Sequence, residues 1–161
     1  MDEKNLLTGE IRKDLIQVFY LQEKRVRVYD DFDVKFKEFL LDAPDFNPTK
    51  LELICKETGN EMNCISREII QIKLNFSPQV YNVPFLFNLV ERLQDLEQLK
   101  FKTTLENYVL EQQRLEKLNK TDEFEFELKE KLTRFKKELN EIKLKINECL
   151  EEMRYELYEN V

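Results

Sequence analysis

Apolar residues recur every third or fourth position along four stretches of this chain, and three short breaks separate the stretches. That period is the signature of amphipathic helices. The first stretch predicts a helix over about residues 10–41. Its stripe is Ile11, Leu15, Val18, Tyr29, Phe32, Phe36 and Phe39, widened by Phe19, Val26 and Leu40. The second, about 48–76, reads Leu51, Cys55, Thr58, Met62, Ile65, Ile69, Ile72 and Phe76. Asn47 is placed to cap it, with Pro48 at its first turn. Gly59 lies off that stripe and marks a kink or a close helix contact. The third helix is expected from about Pro84 to Leu118. Leu86, Leu89, Leu93 and Leu96 open its stripe, and Phe101, Leu105, Tyr108, Gln112 and Leu115 continue it after a phase shift. A phase shift implies a change of partner or local unwinding.

The fourth helix should run from Asp122 to near the end of the sequence, with Asp122 and Glu125 resembling a capping box. Its narrow seam is Leu128, Leu132, Phe135, Leu139, Ile142, Ile146, Cys149 and Met153, on an otherwise charged rod. That is a coiled-coil pattern, suited to one or two partner helices. The seam must bury against something. Its short connection, residues 119–122, favours folding back on the preceding helix, or a different protein as partner, over a parallel homodimer. The breaks fall at residues 42–48, 77–84 and 119–122; the first two hold all four prolines, which disfavour helix just before them. The fold class is therefore all-α: an elongated antiparallel bundle of three helices with a phenylalanine-rich core over residues 1–118, and a C-terminal coiled-coil helix over 119–161.

Composition narrows the function more than the fold. In 161 residues there are two glycines and no histidine. A Ser-His-Asp triad, a Cys-His pair and a histidine metal site are thereby excluded. The glycines stand alone, so there is no P-loop and no dinucleotide fingerprint. No enzymatic activity and no cofactor are expected. Cys55, Cys64 and Cys149 lack metal-ligand spacing and read as reduced thiols of an intracellular protein. The opening residues are charged, with no apolar core of a signal peptide, and no apolar run is long enough to span a membrane.

The net charge is −7. It argues against a protein that grips nucleic acid along its surface, since that affinity comes mostly from neutralised phosphates. Local basic clusters exist at Lys24, Arg25 and Arg27 and at Arg134, Lys136 and Lys137, both flanked by acids. Along the fourth helix the charge alternates in blocks. Residues 122–127 carry −4, residues 129–145 carry +4, and residues 148–161 carry −4. Such blocks describe either a solvated face or a docking segment for a partner of opposite pattern.

Two polar residues interrupt the first stripe. Gln22 and Arg25 stand where aliphatic residues are expected, and with Tyr29 they share one helix face. A buried arginine is costly unless paired. Either Arg25 reaches the helix edge or pairs with a carboxylate of another helix, or the trio is a recognition patch for a partner's acidic or polar group.

The cluster Leu21-Gln22, Arg25-Val26, Tyr29, Phe32 and Phe36 resembles the opening helix of the "required for excision 1-B" family. Two further matches are Met62 with Ile65-Ser66 to Ile72, and Arg92-Leu93-Gln94 through Glu97, Lys100, Thr103 and Leu105. Together they cover about residues 10–115. The resemblance implies an accessory role in DNA excision repair and a nuclear location, and it carries over no catalytic residue. The residues themselves suit a non-enzymatic adaptor that binds proteins through helical surfaces, without a membrane partner and without a favoured homo-oligomer. A structural coiled-coil subunit of a cytoskeletal, centrosomal or tethering complex, located in the cytoplasm, suits the same residues.

Overall fold

A computed structural model describes residues 3–116 and 121–160. Its described elements are four α-helices: α1 (Glu3–Leu40), α2 (Pro48–Asn75), α3 (Pro84–Leu115) and α4 (Asp122–Tyr155), closed by a short π-helical turn, Glu156–Asn160. The fold is all-α, without a strand among the described residues. No helix among them is long and apolar enough to cross a membrane. At 38 residues, α1 is a rod of roughly 57 Å.

The sequence signals explain most helix ends. Asn47 caps α2: its side-chain oxygen accepts a hydrogen bond from the Thr49 backbone N–H at 3.1 Å, and Pro48 follows at the first helical position. For α4 the cap lies one residue earlier than expected. Thr121 Oγ1 accepts from the Phe124 N–H at 3.1 Å, so Asp122 is the first helical residue and not the cap. Asp122, Glu123 and Glu125 instead place negative charge in the first turn, where the helix dipole favours it. The first helix begins at Glu3 rather than near residue 10, because no proline stands between them to stop it. The expected end of α3 at Leu118 lies outside the described residues, as does most of the 119–122 break.

Consecutive helices pack against each other, most extensively α3 with α4 and α1 with α2. The bundle closes where the end of α4 returns to the start of α1. There Arg12 donates from Nη1 to the Leu157 carbonyl at 3.2 Å, and the Arg154 guanidinium lies 5.3 Å from the centre of the Phe19 ring. The α4 seam is turned inward. Leu128, Leu132, Ile142, Ile146, Cys149 and Met153 are buried, while Phe135 and Leu139 are half-buried. In this chain α4 folds back onto α3.

The core is not uniformly phenylalanine-rich. At the end formed by the start of α1 it is aliphatic: Ile11, Leu15 and Val18 meet Ile65 to Ile72, Leu86 to Leu93, and Ile142 to Met153. At the other end it is aromatic. Phe36 stacks on Tyr108 at 3.9 Å between ring centres, Phe32 meets Tyr108 edge-on at 4.9 Å, and Phe39 stacks on Phe46 at 4.9 Å. Two expectations fail. Val26, placed on the α1 stripe, is 50% exposed, because the stripe drifts and Val26 falls on its far flank. Gly59 makes no close contact: a Cβ built there would meet nothing within 4 Å, and α2 runs through it unbroken.

Candidate functional site

A polar layer crosses the bundle between the aliphatic and the aromatic ends. It begins with Gln22 and Arg25, which α1 buries because they occupy its inward stripe; Arg25 is only 2% exposed. Gln22 Nε2 donates to Glu97 Oε1 at 2.5 Å, reaching from α1 to α3. Arg25 Nη1 donates to Gln22 Oε1 at 3.1 Å. Its Nη2 donates to Ser66 Oγ on α2 at 3.1 Å and to Gln94 Oε1 on α3. Gln94 Nε2 in turn donates to the Ser66 carbonyl at 3.3 Å. One guanidinium thus ties three helices together through its planar fork of donors.

The carboxylate of the layer is Glu97, 5% exposed. It meets Arg25 through Gln22, not in a direct ion pair. Burial pushes the Arg25 guanidinium below its ordinary value, and the Glu97 charge, then Tyr29, oppose that shift. Burial likewise lowers Lys100, with Glu97 again the largest opposing influence. Lys100 Nζ sits 4.0 Å from the centre of the Tyr29 ring, a cation–π contact. Burial, then Glu97, drives the Tyr29 phenol well above its usual range, so it stays neutral.

The network is incomplete. Tyr29 Oη, Glu97 Oε2 and Asn107 Oδ1 are buried without a hydrogen-bond partner. Each such atom costs about 1–3 kcal/mol unless water or a ligand meets it. Two clefts reach the layer. One, of about 350 Å³, lies between α2 and α3 and is lined by Arg25, Ser66, Gln94 and Glu97. The other, of about 470 Å³, lies between α1 and α4 over α3, with Tyr29, Asp30, Lys100, Asn107 and Lys143 on its walls. A third hollow, apolar and about 560 Å³, opens between α3 and α4, where Phe135 faces Leu105, Val109 and Leu110. Among the described residues no cluster of Cys, Asp and Glu is arranged to hold a metal ion.

Of the trio singled out from sequence, the structure places Gln22 and Arg25 in one hydrogen-bonded cluster in the interior. Tyr29 stands one turn further along, beside Lys100 and apart from that hydrogen-bond chain. Sequence reasoning missed Glu97 and Asn107 as buried polar groups. The signal was present: after Leu96 the apolar stripe of α3 breaks, and the face that turns inward carries Glu97, Thr104 and Asn107. The expected shifted stripe of Phe101, Leu105, Tyr108, Gln112 and Leu115 is only half-buried along its length, and Leu115 is 40% exposed.

Fold and site together define an all-helical protein whose polarity is concentrated in one interior layer. The family model for DNA repair REX1-B matches residues 13–111, which is more than half of the chain and spans most of α1, all of α2 and most of α3. The chain belongs to the DNA repair REX1-B family, whose name ties it to DNA repair. No curated protein and no solved structure matches it.

Proposed function

We propose that this protein is a non-enzymatic adaptor that acts in DNA excision repair by binding other proteins through its helical surfaces, in the nucleus. The observation that carries the reading is the family match over residues 13–111, named for DNA repair. Its residues support the adaptor part. A chain without histidine or a glycine-rich phosphate loop offers little for catalysis, and buried Gln22 and Arg25 are engaged across helices with Glu97, Ser66 and Gln94. The net charge of −7 supports a protein partner over an extended nucleic-acid contact.

The test is affinity capture of the full chain with crosslinking, from cells before and after ultraviolet damage. Recovery of excision-repair proteins, increased by damage, is the expected result. Recovery of cytoskeletal or tethering complexes alone, with unchanged damage survival in cells lacking the protein, would replace this reading with a structural role.

A further inference from the structure

The cleft between α1 and α4 holds donors without an acceptor at bonding distance, with the buried Glu97 carboxylate the leading charge that acts on Lys100 and Tyr29. Lys100 Nζ touches the Tyr29 ring, and no carboxylate lies within ion-pair distance of it among the described residues; the same holds for Lys143 across the cleft. Tyr29 Oη, kept protonated by burial, has no acceptor. On the opposite wall Asp33 is already engaged, accepting from Tyr108 Oη at 3.2 Å and pairing with Lys37 at 2.7 Å. Asp30 remains as an exposed acid at the rim. Asn107, 8% exposed, also lines the cleft, and its Oδ1 is buried without a donor. The α4 wall extends outward as Lys129, Lys136 and Lys143, seven residues apart and all exposed. Lys136 lies 3.9 Å from Glu111.

We infer that this cleft is a docking site for an acidic segment of a protein partner, whose carboxylate takes the Tyr29 hydroxyl, Lys100 and Lys143 while one of its N–H groups takes Asn107 Oδ1. A peptide supplies an anion and an N–H donor several bonds apart; inorganic phosphate carries its charge and its O–H donors on one centre, and a DNA backbone offers phosphates without a donor beside them. The row Lys129–Lys136–Lys143 steers the rest of the segment along α4, and Asp30 turns acidic residues away from α1. The inference rests on the adaptor reading and assigns it a surface.

The experiment is an amide-resolved NMR titration of the full chain with a blocked octapeptide of alternating glutamate and alanine. The expected result is shifts at Thr104 and at the Asn107 side-chain amide, and binding that weakens about tenfold in Lys143→Glu, equivalent to about 1.4 kcal/mol. Asp30→Asn should tighten it by about threefold. Asn107→Leu separates binding from folding, since it removes an unpaired buried atom. It should raise the melting temperature while weakening the peptide. The inference is overturned if no cleft resonance moves, if Lys143→Glu binds as the parent does, or if an eight-residue oligothymidylate or inorganic phosphate produces the same shifts at equal concentration. Repair proteins captured equally by the parent and by Lys143→Glu would overturn the cleft and leave the adaptor standing. Failure of the parent chain to capture any would overturn the adaptor, while the peptide titration still decides the cleft.

Discussion

The two ends of the bundle solve the same packing problem with different residues. At the aliphatic end, Leu15, Ile69, Leu93 and Ile146 come from four different helices into one continuous cluster. At the aromatic end, Phe32 and Phe36 of α1 meet Tyr108 and Phe101 of α3, and no ring of α4 joins these pairs among the described residues. There α4 contributes Leu128 and Leu132 instead. Branched side chains interdigitate in any direction and let four helices close. Rings commit to particular edge-on or stacked partners. The aromatic end is therefore held by α1–α3 pairs, and a cleft remains between α1 and α4. One end is built for closure and the other leaves room for a guest.

The largest test removes a ring or an aliphatic anchor. Phe32→Ala and Leu93→Ala should each cost about 3–5 kcal/mol, because both side chains are fully buried and leave cavities. Urea unfolding measures the loss. Hydrogen exchange should then separate the ends. Phe32→Ala should speed exchange at the end of α1 and of α3 before the rest, while Leu93→Ala should speed it across all four helices together. Uniform acceleration in both variants would show that the ends form one cooperative unit.

How much of this contrast was legible beforehand depends on the element. The α2 stripe from Thr58 to Phe76 is buried residue for residue, because a helix flanked on one side by solvent keeps a strict period. The α4 seam also turns inward, with Phe135 and Leu139 only half-buried, and that orientation follows from the short connection to α3. The aliphatic and aromatic halves were both visible in the stripe of α1, yet their separation was not. That separation depends on Glu97, and a single glutamate on a helix reads as solvated until its neighbours in space are known. Arg25 announced itself by standing on an apolar stripe. Its partners on other helices did not, since Ser66 and Gln94 lie 41 and 69 positions away along the chain.

Arg25→Leu tests the boundary between the ends. Loss of the guanidinium strips donors from Gln22, Ser66 and Gln94 and leaves Glu97 without a nearby balancing charge at that position. The expected cost is about 1–3 kcal/mol by thermal or urea unfolding. Arg25→Lys should recover only part of it, because an ammonium cannot reach α1, α2 and α3 partners with one planar fork. Unchanged stability in Arg25→Leu together with lost partner capture would transfer this residue from architecture to recognition.

Alkaline titration weighs more on the aromatic end than on the aliphatic one, where burial also raises Tyr81 and Cys149 but by less. Tyr29 and Tyr108 both hold their protons more tightly when folded, through burial first and then through Glu97 and Asp33 respectively. An unfolded phenol ionises near pH 10, so the stability these residues contribute is complete below about pH 10 and falls above it. The slope approaches about 1.4 kcal/mol per pH unit for each. Lys100 acts in the opposite sense: its lowered value disfavours the folded state while it is charged, and raising the pH relieves that. The tyrosine shifts are the larger, so net stability falls. Tyr29→Phe should be neutral or stabilising at pH 7, because its hydroxyl has no partner, and should flatten the alkaline loss. Thermal melts between pH 8 and pH 11 would show it.

The smallest effect lies at Gly59, midway along α2 where the aromatic end begins. No atom lies within 4 Å of a Cβ placed there, and α2 is helical on both sides of it. Gly59→Ala therefore adds no clash and removes a residue that costs a helix interior about 0.5–1 kcal/mol. Part of the gain comes from the unfolded chain, which loses freedom when alanine replaces glycine. The expected outcome is a rise in urea stability of that size. If the aromatic end opens independently of the aliphatic one, the gain should appear as slowed hydrogen exchange in residues 48–62 with little change beyond Ile65. If protection rises equally through Ile72, α2 transmits the gain across the polar layer, and the two ends are coupled despite their different cores.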